Sequence, residues 1–219
     1  MASEVIYGRR PVEEAKRGRR KVLRVHTRDE LSGEELERRC GSPDHQGVIA
    51  EVEPYPYADP GALLAAEDAI VLALDRVQDP RNLGAICRSA EAAGVAGVVI
   101  PDRHAAAVTA AVCKASAGAV EHLAIARVGN LADWLELAKK DGAWAYGAAA
   151  EAATPYTEPD YSGRVVIVLG GEEKGIRPRV ASACDALVSI PRRGRVGSLN
   201  VSAAASVLVF EALRSRPAG

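Results

Sequence analysis

The chain is poor in aromatic residues, which make up only 4% of its 219 residues although 48% are hydrophobic. With so few large rings, the core has to be built mainly from alanine, valine, leucine and isoleucine. This composition is typical of a parallel sheet that is buried beneath helices on both faces. It therefore favours an α/β protein.

Cysteine is scarce as well, and the chain has four, widely separated in the sequence: Cys40, Cys87, Cys113 and Cys184. None belongs to a Cys-x-x-Cys pair, and no histidine lies nearby at the spacing of a metal ligand. A disulfide framework is disfavoured in a chain of this length. We therefore expect reduced cysteines that behave as small hydrophobic residues, and no bound metal.

Long apolar runs are also missing. No hydrophobic stretch reaches the roughly 18 residues that a membrane-spanning helix needs. The segment from Met1 to Arg10 is polar and basic, and no apolar stretch of a secretion signal follows it. We expect a cytoplasmic protein without membrane contact.

The net charge of −1 gives no sign of a polyanionic partner, but the distribution of the charges does. Residues 16–21 read Lys-Arg-Gly-Arg-Arg-Lys, and no acidic residue follows before Asp29. Such a cluster suits contacts with phosphate groups. A solvated helix end explains a single basic run equally well, so both interpretations stay open at this point.

Proline separates the chain into two parts. Three prolines among residues 54–60 interrupt any helix or central strand. We therefore predict a small domain at 1–53, a linker at 54–68 and a larger domain at 69–219. In the small domain the pattern predicts helices at 11–15 and 31–39 and strands at 22–25 and 46–52. Ser32 and Glu35 fit a capping box at the start of the second helix.

Strands and helices alternate through the larger domain, which predicts a mostly parallel sheet with helices on both faces. Asn130 fits the N-cap of one of these helices. The predicted strands lie at 69–74, 97–100, 123–128, 143–148, 165–169 and 186–190, and the predicted helices at 82–93, 108–117, 131–140, 178–184 and 199–214.

The first of three unusual loops, residues 75–84, follows a buried strand and is dense with polar groups. Ligands of such sheets bind in the loops beyond the carboxyl ends of the strands. Asn82 and Arg88 can both project from the following helix near these ends. Asn82 as a helix cap and Arg88 as the partner of an acid remain an alternative explanation.

The second loop, residues 169–176, has glycines that let a ligand approach the backbone closely. It lacks the spacing of a phosphate-binding loop, and Glu172 and Glu173 would repel phosphate. The two acids would suit a cationic ligand such as a sulfonium, or they simply favour a helix N-terminus.

The third loop, residues 190–202, joins a strand to a helix and is rich in glycine and arginine. Ser198 and Asn200 offer side-chain hydrogen bonds near the start of the helix. Ser198 as a plain helix N-cap is the alternative.

Together the three loops resemble the motifs of the SpoU/TrmH branch of the SPOUT RNA methyltransferases. The motifs are Asp79–Ala85 with Arg88, Leu169–Gly175, and Ile190-Pro191 followed by Ser198–Ser202. The resemblance covers roughly residues 69–214. Residues 1–53 resemble a shortened form of the family's small substrate-binding domain, with Tyr7-Gly8 and His45–Val48 matching its start and its end.

The resemblance implies a C-terminal trefoil knot, a homodimer, and S-adenosylmethionine as cofactor, without a metal. It further implies methylation of a ribose 2′-hydroxyl in RNA, with a guanosine of 23S rRNA as the preferred target. A tRNA ribose methyltransferase is one alternative, and a non-catalytic RNA-binding protein on the same fold is another.

Residue by residue, the resemblance places the reaction at Arg88, Asn82, Glu172, Asn200 and Ser198. In this hypothesis Arg88 binds a phosphate and positions the hydroxyl, and Asn82 orients Arg88 or the ribose. The cofactor would be held by Leu169, Gly170, Gly171, Ile190, Pro191, Ser198, Leu199 and Val201. RNA would be bound by the basic residues Arg9, Arg17, Arg19, Arg20, Lys21, Arg192, Arg193 and Arg195.

Overall fold

The computed structural model describes residues 3–172, 174–195 and 197–216, and these residues form two sheets. The smaller sheet is antiparallel and has three strands in the order β1-β3-β2. The N-terminal elements are β1 (Glu4–Tyr7), α1 (Arg9–Arg17), β2 (Val22–Thr27), α2 (Gly33–Cys40) and β3 (Val48–Val52).

The larger sheet has seven strands, and every pair of neighbours in it is parallel. Its elements are β4 (Ile70–Asp75), α3 (Pro80–Ala92), β5 (Gly97–Pro101), α4 (Ala110–Ala115), β6 (Ile125–Val128), α5 (Leu131–Lys140), β7 (Trp144–Ala148), β8 (Thr154–Pro155), β9 (Val165–Gly170), α6 (Pro178–Ala183), β10 (Ala186–Ser189) and α7 (Val201–Arg214). The strands lie in the order β6-β5-β4-β9-β7-β10-β8. The predicted α/β fold is confirmed.

Both faces of the larger sheet are covered by helices. Along β4 the side chains of Leu72 and Leu74 pack on the face that carries α3, α4 and α7, whereas Val71 and Ala73 pack on the face that carries α5 and α6. All six residues of β4 are buried. This is why the strand is a continuous apolar run rather than an alternating one.

Two predicted helix caps are confirmed. The hydroxyl of Ser32 accepts a hydrogen bond from the backbone N–H of Glu35, and the Oδ1 of Asn130 accepts one from Ala132. Side-chain oxygens at these positions satisfy N–H groups that the first helical turn leaves without partners.

Some elements differ from the sequence prediction. The helix predicted at 108–117 is shortened to α4, because Ala117 and Gly118 adopt positive φ angles of 54° and 90°, which end the helix. The two-residue strand β8 was not predicted, because Thr154 and Pro155 are too short a segment to carry a periodicity.

The N-terminal unit packs on helices α3 and α4 of the larger domain. Ile6 and Val12 belong to the same hydrophobic cluster as Val112 of α4 and Leu83 of α3. The hydroxyl of Tyr55 donates a 2.6 Å hydrogen bond to the backbone carbonyl of Leu123. The first residues of the segment that follows β3 are therefore buried against the larger domain.

The Tyr7-Gly8 and His45–Val48 segments lie together at this junction. The N–H of Gly8 donates to the carbonyl of Val48 at 3.1 Å. Lys114 of α4 donates from its Nζ to the carbonyl of Asp44 at 2.8 Å, and its ammonium lies 5.8 Å from the centre of the Tyr7 ring.

The prediction that Arg20 binds RNA is wrong in this structure. Its side chain is 1% exposed and forms a buried ion pair with Glu121, which is fully buried. The Nε and Nη2 atoms donate to the two carboxylate oxygens of Glu121 at 2.8 and 2.6 Å, and Nη1 donates to Glu4 at 2.9 Å. A run of basic residues alone does not indicate which of its side chains is buried.

We expect Arg20→Ala to lower the free energy of unfolding by about 3–5 kcal/mol, because Glu121 would keep a buried charge without its partner. Arg17→Ala is the matched control from the same basic run. Arg17 is 65% exposed and pairs with Glu13, so its loss should cost at most about 1 kcal/mol. Urea denaturation measures both values, and equal losses in the two variants would contradict the structural role of the buried pair.

Candidate functional site

The three unusual loops follow β4, β9 and β10 at the carboxyl ends of these strands, as predicted. The loop after β4 lies beside the loop after β9, since these strands are direct neighbours, and only β7 separates β9 from β10. Polar and glycine-rich segments that are far apart in the sequence are thereby brought to one edge of the sheet, where ligands of such folds bind.

A cavity of about 330 Å³ opens at this edge. Its volume falls within the roughly 300–1,000 Å³ that is typical of small-molecule sites. Eight of the residues predicted for the site line this cavity: Leu169, Gly170, Gly171, Glu172, Ile190, Ser198, Leu199 and Val201. The loops after β9 and β10 and the start of α7 therefore form one concave surface.

Pro191 lies beside this cavity rather than in its lining, in a neighbouring shallow depression that also contains Ile190 and Arg192. The sequence analysis missed another part of the lining, namely Ala148–Ala150 after β7, with Val188 and Ala204. Three consecutive alanines carry no chemical signal. Only their position at the end of a strand could have indicated them.

The second loop is closed tightly around Gly170. A β-carbon added to Gly170 would lie 2.0 Å from the backbone carbonyl carbon of Gly175, a distance that no side chain can occupy. The N–H of Gly175 donates to the carbonyl of Gly171 at 2.9 Å. Glycine is therefore required at position 170 for the close approach of the two backbone segments.

Asp75 joins the first loop to the second, a role that the sequence analysis did not assign. Its carboxylate is fully buried and accepts hydrogen bonds from the backbone N–H and the Nε of Arg177, both at 2.8 Å. Its backbone carbonyl accepts one from the N–H of Gly171 at 2.8 Å. An acidic residue at the end of a fully buried strand was the available signal.

Asn82 and Asn200 join the first loop to the third. The Nδ2 of Asn200 donates to the Oδ1 of Asn82 at 3.1 Å, and the Oδ1 of Asn200 accepts from the N–H of Ser202 at 2.8 Å. Asn200 is therefore the N-cap of α7, and Asp79 is the N-cap of α3. The alternatives that made Asn82 and Ser198 helix caps are wrong.

Arg88 is not brought to the cavity of its own chain. It lies six residues beyond Asn82 in α3 and is exposed, which places it about 9 Å further along the helix axis. The described side-chain contact of Asn82 is with Asn200 rather than with Arg88. Glu172 is exposed at the rim of the cavity.

The remaining basic residues proposed for RNA contact are placed in two groups. Arg9, Arg17, Arg19 and Lys21 are exposed on the N-terminal unit. Arg192 lines the cavity, where its Nη2 donates to Glu151 at 2.8 Å and to the carbonyl of Ala150 at 3.1 Å. Arg193 and Arg195 are exposed beside it, whereas Glu173 and Val196 lie outside the described residues.

The cysteines are free thiols, as expected. Burial raises the pKa of Cys87 to about 12, and likewise that of Cys113.

In the part of the chain that the structure describes, no three His, Cys, Asp or Glu side chains are grouped so as to hold a metal ion. None of the described helices combines the length and the apolar character needed to cross a bilayer.

Comparison with known proteins shows a consistent similarity. Residues 69–210 match the SpoU rRNA Methylase family. A TrmH family tRNA/rRNA methyltransferase of Staphylococcus saprophyticus is 45% identical over 177 residues, which is 78% of this chain and 71% of that protein. The TrmH family tRNA/rRNA methyltransferase YacO of Bacillus subtilis is 44% identical over the same shares of the two chains.

Solved structures resemble the whole described fold. The SpoU methyltransferase AviRb from Streptomyces viridochromogenes, in complex with the cofactor AdoMet, has a TM-score of 0.81 at 26% identity, covering 97% of this chain and 89% of its own. An AdoMet-bound rRNA methyltransferase from Sinorhizobium meliloti has a TM-score of 0.87 at 26% identity, covering 99% and 88%.

We expect Gly170→Ala to lower the free energy of unfolding by about 2 kcal/mol or more, because the added methyl group collides with the backbone of Gly175. Gly194→Ala is the matched control, since a β-carbon at Gly194 would have no atom within 4 Å. Urea denaturation followed by circular dichroism measures both variants. A Gly170→Ala protein as stable as Gly194→Ala would contradict the tight loop.

Proposed function

The chain belongs to the SpoU rRNA methylase family, and on that premise we propose that it transfers the methyl group of S-adenosylmethionine to a ribose 2′-hydroxyl of RNA. One observation carries the proposal: the second and third motifs line a single cavity at the carboxyl edge of the parallel sheet, and the bond between Asn82 and Asn200 joins the first motif to the third. The AdoMet complexes of two structural neighbours support the choice of cofactor.

The cavity fits this cofactor. Apolar side chains such as Leu169, Ile190 and Leu199 line it together with the backbone of Gly170 and Gly171. Apolar walls suit the adenine ring, and backbone N–H and C=O groups can recognise its edge and the ribose. We assign cofactor binding to these residues together with Pro191, Ser198 and Val201. When bound, the cofactor supplies an electrophilic methyl group on a sulfonium.

Glu172 is the acidic side chain at the rim of this cavity. Its negative charge favours a cationic group such as the sulfonium in this cavity. We propose that Glu172 holds the arrangement of cofactor and ribose, while Asn200 and Ser198 position the ribose from the start of α7. The bond between Asn200 and Asn82 keeps these side chains in place.

The acceptor is a poor nucleophile, so the ribose hydroxyl has to be held and polarised where it meets the methyl group. The guanidinium group of arginine is a cation at any ordinary pH and cannot accept a further proton. We propose that Arg88 binds the adjacent phosphate and so positions the hydroxyl, and that the hydroxyl proton passes to that phosphate. Because Arg88 is exposed and outside its own cavity, it would act on the cavity of a second subunit.

An exposed apolar stripe on α7 supports a homodimer. Phe210 and Leu213 are 46% and 42% exposed, and Leu199 just before the helix is 46% exposed. Large apolar side chains that lie together on a surface are typical of an interface. The same helix packs on α3 through the 2.7 Å hydrogen bond between Ser206 and Ser89. A dimer through this face would bring Arg88 of one subunit towards its partner.

For the rest of the chain we propose a small RNA-binding domain at 1–53, a linker at 54–68 and a catalytic domain at 69–219 with a trefoil knot at its C-terminal end. The exposed basic residues Arg9, Arg17, Arg19 and Lys21 would bind RNA, together with Arg192, Arg193 and Arg195. A guanosine of 23S rRNA is the proposed target, tRNA is the alternative, and the cytoplasm is the proposed compartment.

The test is methyl transfer from labelled S-adenosylmethionine to unmodified 23S rRNA and to bulk tRNA, followed by nucleoside analysis. We expect label in 2′-O-methylguanosine from the rRNA. Label from tRNA alone would select the alternative substrate. The absence of both cofactor binding and methyl transfer would favour a non-catalytic RNA-binding protein and contradict the proposal.

We expect Arg88→Ala to reduce methyl transfer by about 100-fold or more, because the hydroxyl would lose its positioning group. Affinity for S-adenosylmethionine, measured by calorimetry, should stay within about twofold, since Arg88 lies outside the cavity lining.

Arg179→Ala is the matched control for this variant. Arg179 is an exposed arginine of α6 on the opposite face of the sheet, and it pairs with Asp133. Its loss should leave the transfer rate unchanged. Near wild-type turnover of Arg88→Ala would overturn the role assigned to Arg88.

A further inference from the structure

A second cavity, of about 290 Å³, lies beside the first one, and we propose that it binds a phosphate group of the RNA substrate next to the target nucleotide. The inference rests on the proposed function and deepens it, because it assigns a substrate subsite to residues that the sequence analysis gave no role. It involves Arg76 and Lys174, which come from the loops after β4 and β9.

The two cavities share one wall. Gly171, Glu172 and Gly175 line both of them. A group bound in the second cavity is therefore separated from the cofactor cavity only by the short loop after β9. In RNA a phosphate is attached directly beside each ribose 2′-hydroxyl. A phosphate held here would thus keep the neighbouring ribose near the reacting methyl group.

The linings of the cavities differ in chemistry. The first is mostly apolar, whereas Val77 is the one large apolar side chain described in the lining of the second. The second cavity contains charged and amide side chains, among them Gln78 and Arg177. Such a lining suits a polar, charged group rather than an adenine ring.

Several of its charges are already neutralised. Arg177 pairs with the buried carboxylate of Asp75 at 2.7 Å, and Asp79 pairs with Arg81 at 3.2 Å. The Arg81 guanidinium holds the pKa of the Asp79 carboxyl below its usual range. Arg76 and Lys174 are exposed, and neither forms an ion pair with any described carboxylate.

Among the described lining residues outside these ion pairs, the two cations Arg76 and Lys174 outnumber the carboxylate of Glu172, which leaves a positive surplus. Arginine and lysine are the side chains that proteins most often use for phosphate, the first through its planar fork and the second as a point charge. The surplus therefore favours an anion in this cavity.

The position of Arg76 is imposed by its surroundings. Its φ angle is 64°, in the left-handed region that a non-glycine residue seldom adopts. The adjacent Asp75 is held by Arg177 and by the N–H of Gly171, so the backbone at Arg76 cannot relax freely. Such strain persists where the surroundings enforce it, and it is often found at binding sites. Here the strained backbone directs the charged side chain of Arg76 to the second cavity before RNA binds.

The test compares Arg76→Asn and Lys174→Gln, singly and together, with the wild-type protein. Asparagine tolerates the left-handed backbone, so Arg76→Asn removes the charge without adding strain. Lys140→Gln is the matched control, because Lys140 is an exposed lysine at the end of α5, next to the amino ends of the strands. Filter binding at several salt concentrations gives the RNA affinity, steady-state kinetics gives kcat and KM, and calorimetry gives the affinity for S-adenosylmethionine.

We expect each single variant to weaken RNA binding roughly tenfold at low salt and to reduce the slope of log affinity against log salt by about 1, because one phosphate contact is lost. KM for RNA should rise accordingly, while kcat at saturating RNA and the affinity for S-adenosylmethionine stay within twofold. The control should bind RNA like the wild type.

The inference would be overturned if the double variant kept the RNA affinity and the salt slope of the wild type. An equal loss of RNA affinity in Lys140→Gln would also overturn it, because that would show a general charge effect. A loss of cofactor affinity in the variants would instead assign the cavity to the cofactor. If the wild type neither binds S-adenosylmethionine nor methylates either RNA, the proposed function fails by itself. Filter binding then still decides whether Arg76 and Lys174 hold RNA.

Discussion

The buried carboxylate of Asp75 is the constraint on which the rest of the site depends. It ends the central strand β4 and receives both the backbone N–H and the guanidinium of Arg177, while its own carbonyl receives the N–H of Gly171. A buried charge is tolerated only when it is fully paired, and breaking such a pair costs about 3–5 kcal/mol. The loop between Gly171 and Arg177 is therefore tied down at both ends, and this tied loop forms the wall between the two cavities.

The N-terminal unit is attached by similar physics. The buried pair of Arg20 and Glu121 links its start to the turn after α4, and the hydroxyl of Tyr55 binds the backbone of Leu123. Shared apolar packing of Ile6 and Val12 with α3 and α4 adds to these polar contacts. The exposed basic residues of this unit consequently have a defined position relative to the carboxyl edge of the larger sheet.

The local sequence pattern predicted most helices and strands, because the features that define them lie within a few residues of one another. β4 and β9 are short apolar runs since both faces of the sheet are covered, and the caps at Ser32 and Asn130 depend on residues two or three positions away. Two helix caps were missed. They lie at Asp79 and Asn200, whereas the sequence analysis offered Asn82 and Ser198 as alternative caps, because the loop geometry decides where each helix begins.

Residue composition, periodicity and motif spacing are properties of neighbouring residues, and they were enough to predict the class of fold, the family and the three unusual loops. Which side chains meet depends on the tertiary structure. Asp75 with Arg177, Asn82 with Asn200, and Arg20 with Glu121 are pairs more than 100 residues apart. The first two pairs form because parallel strands bring the ends of distant segments together, and the third forms where the N-terminal unit packs on the larger domain. No local pattern records which partner a charged side chain will find.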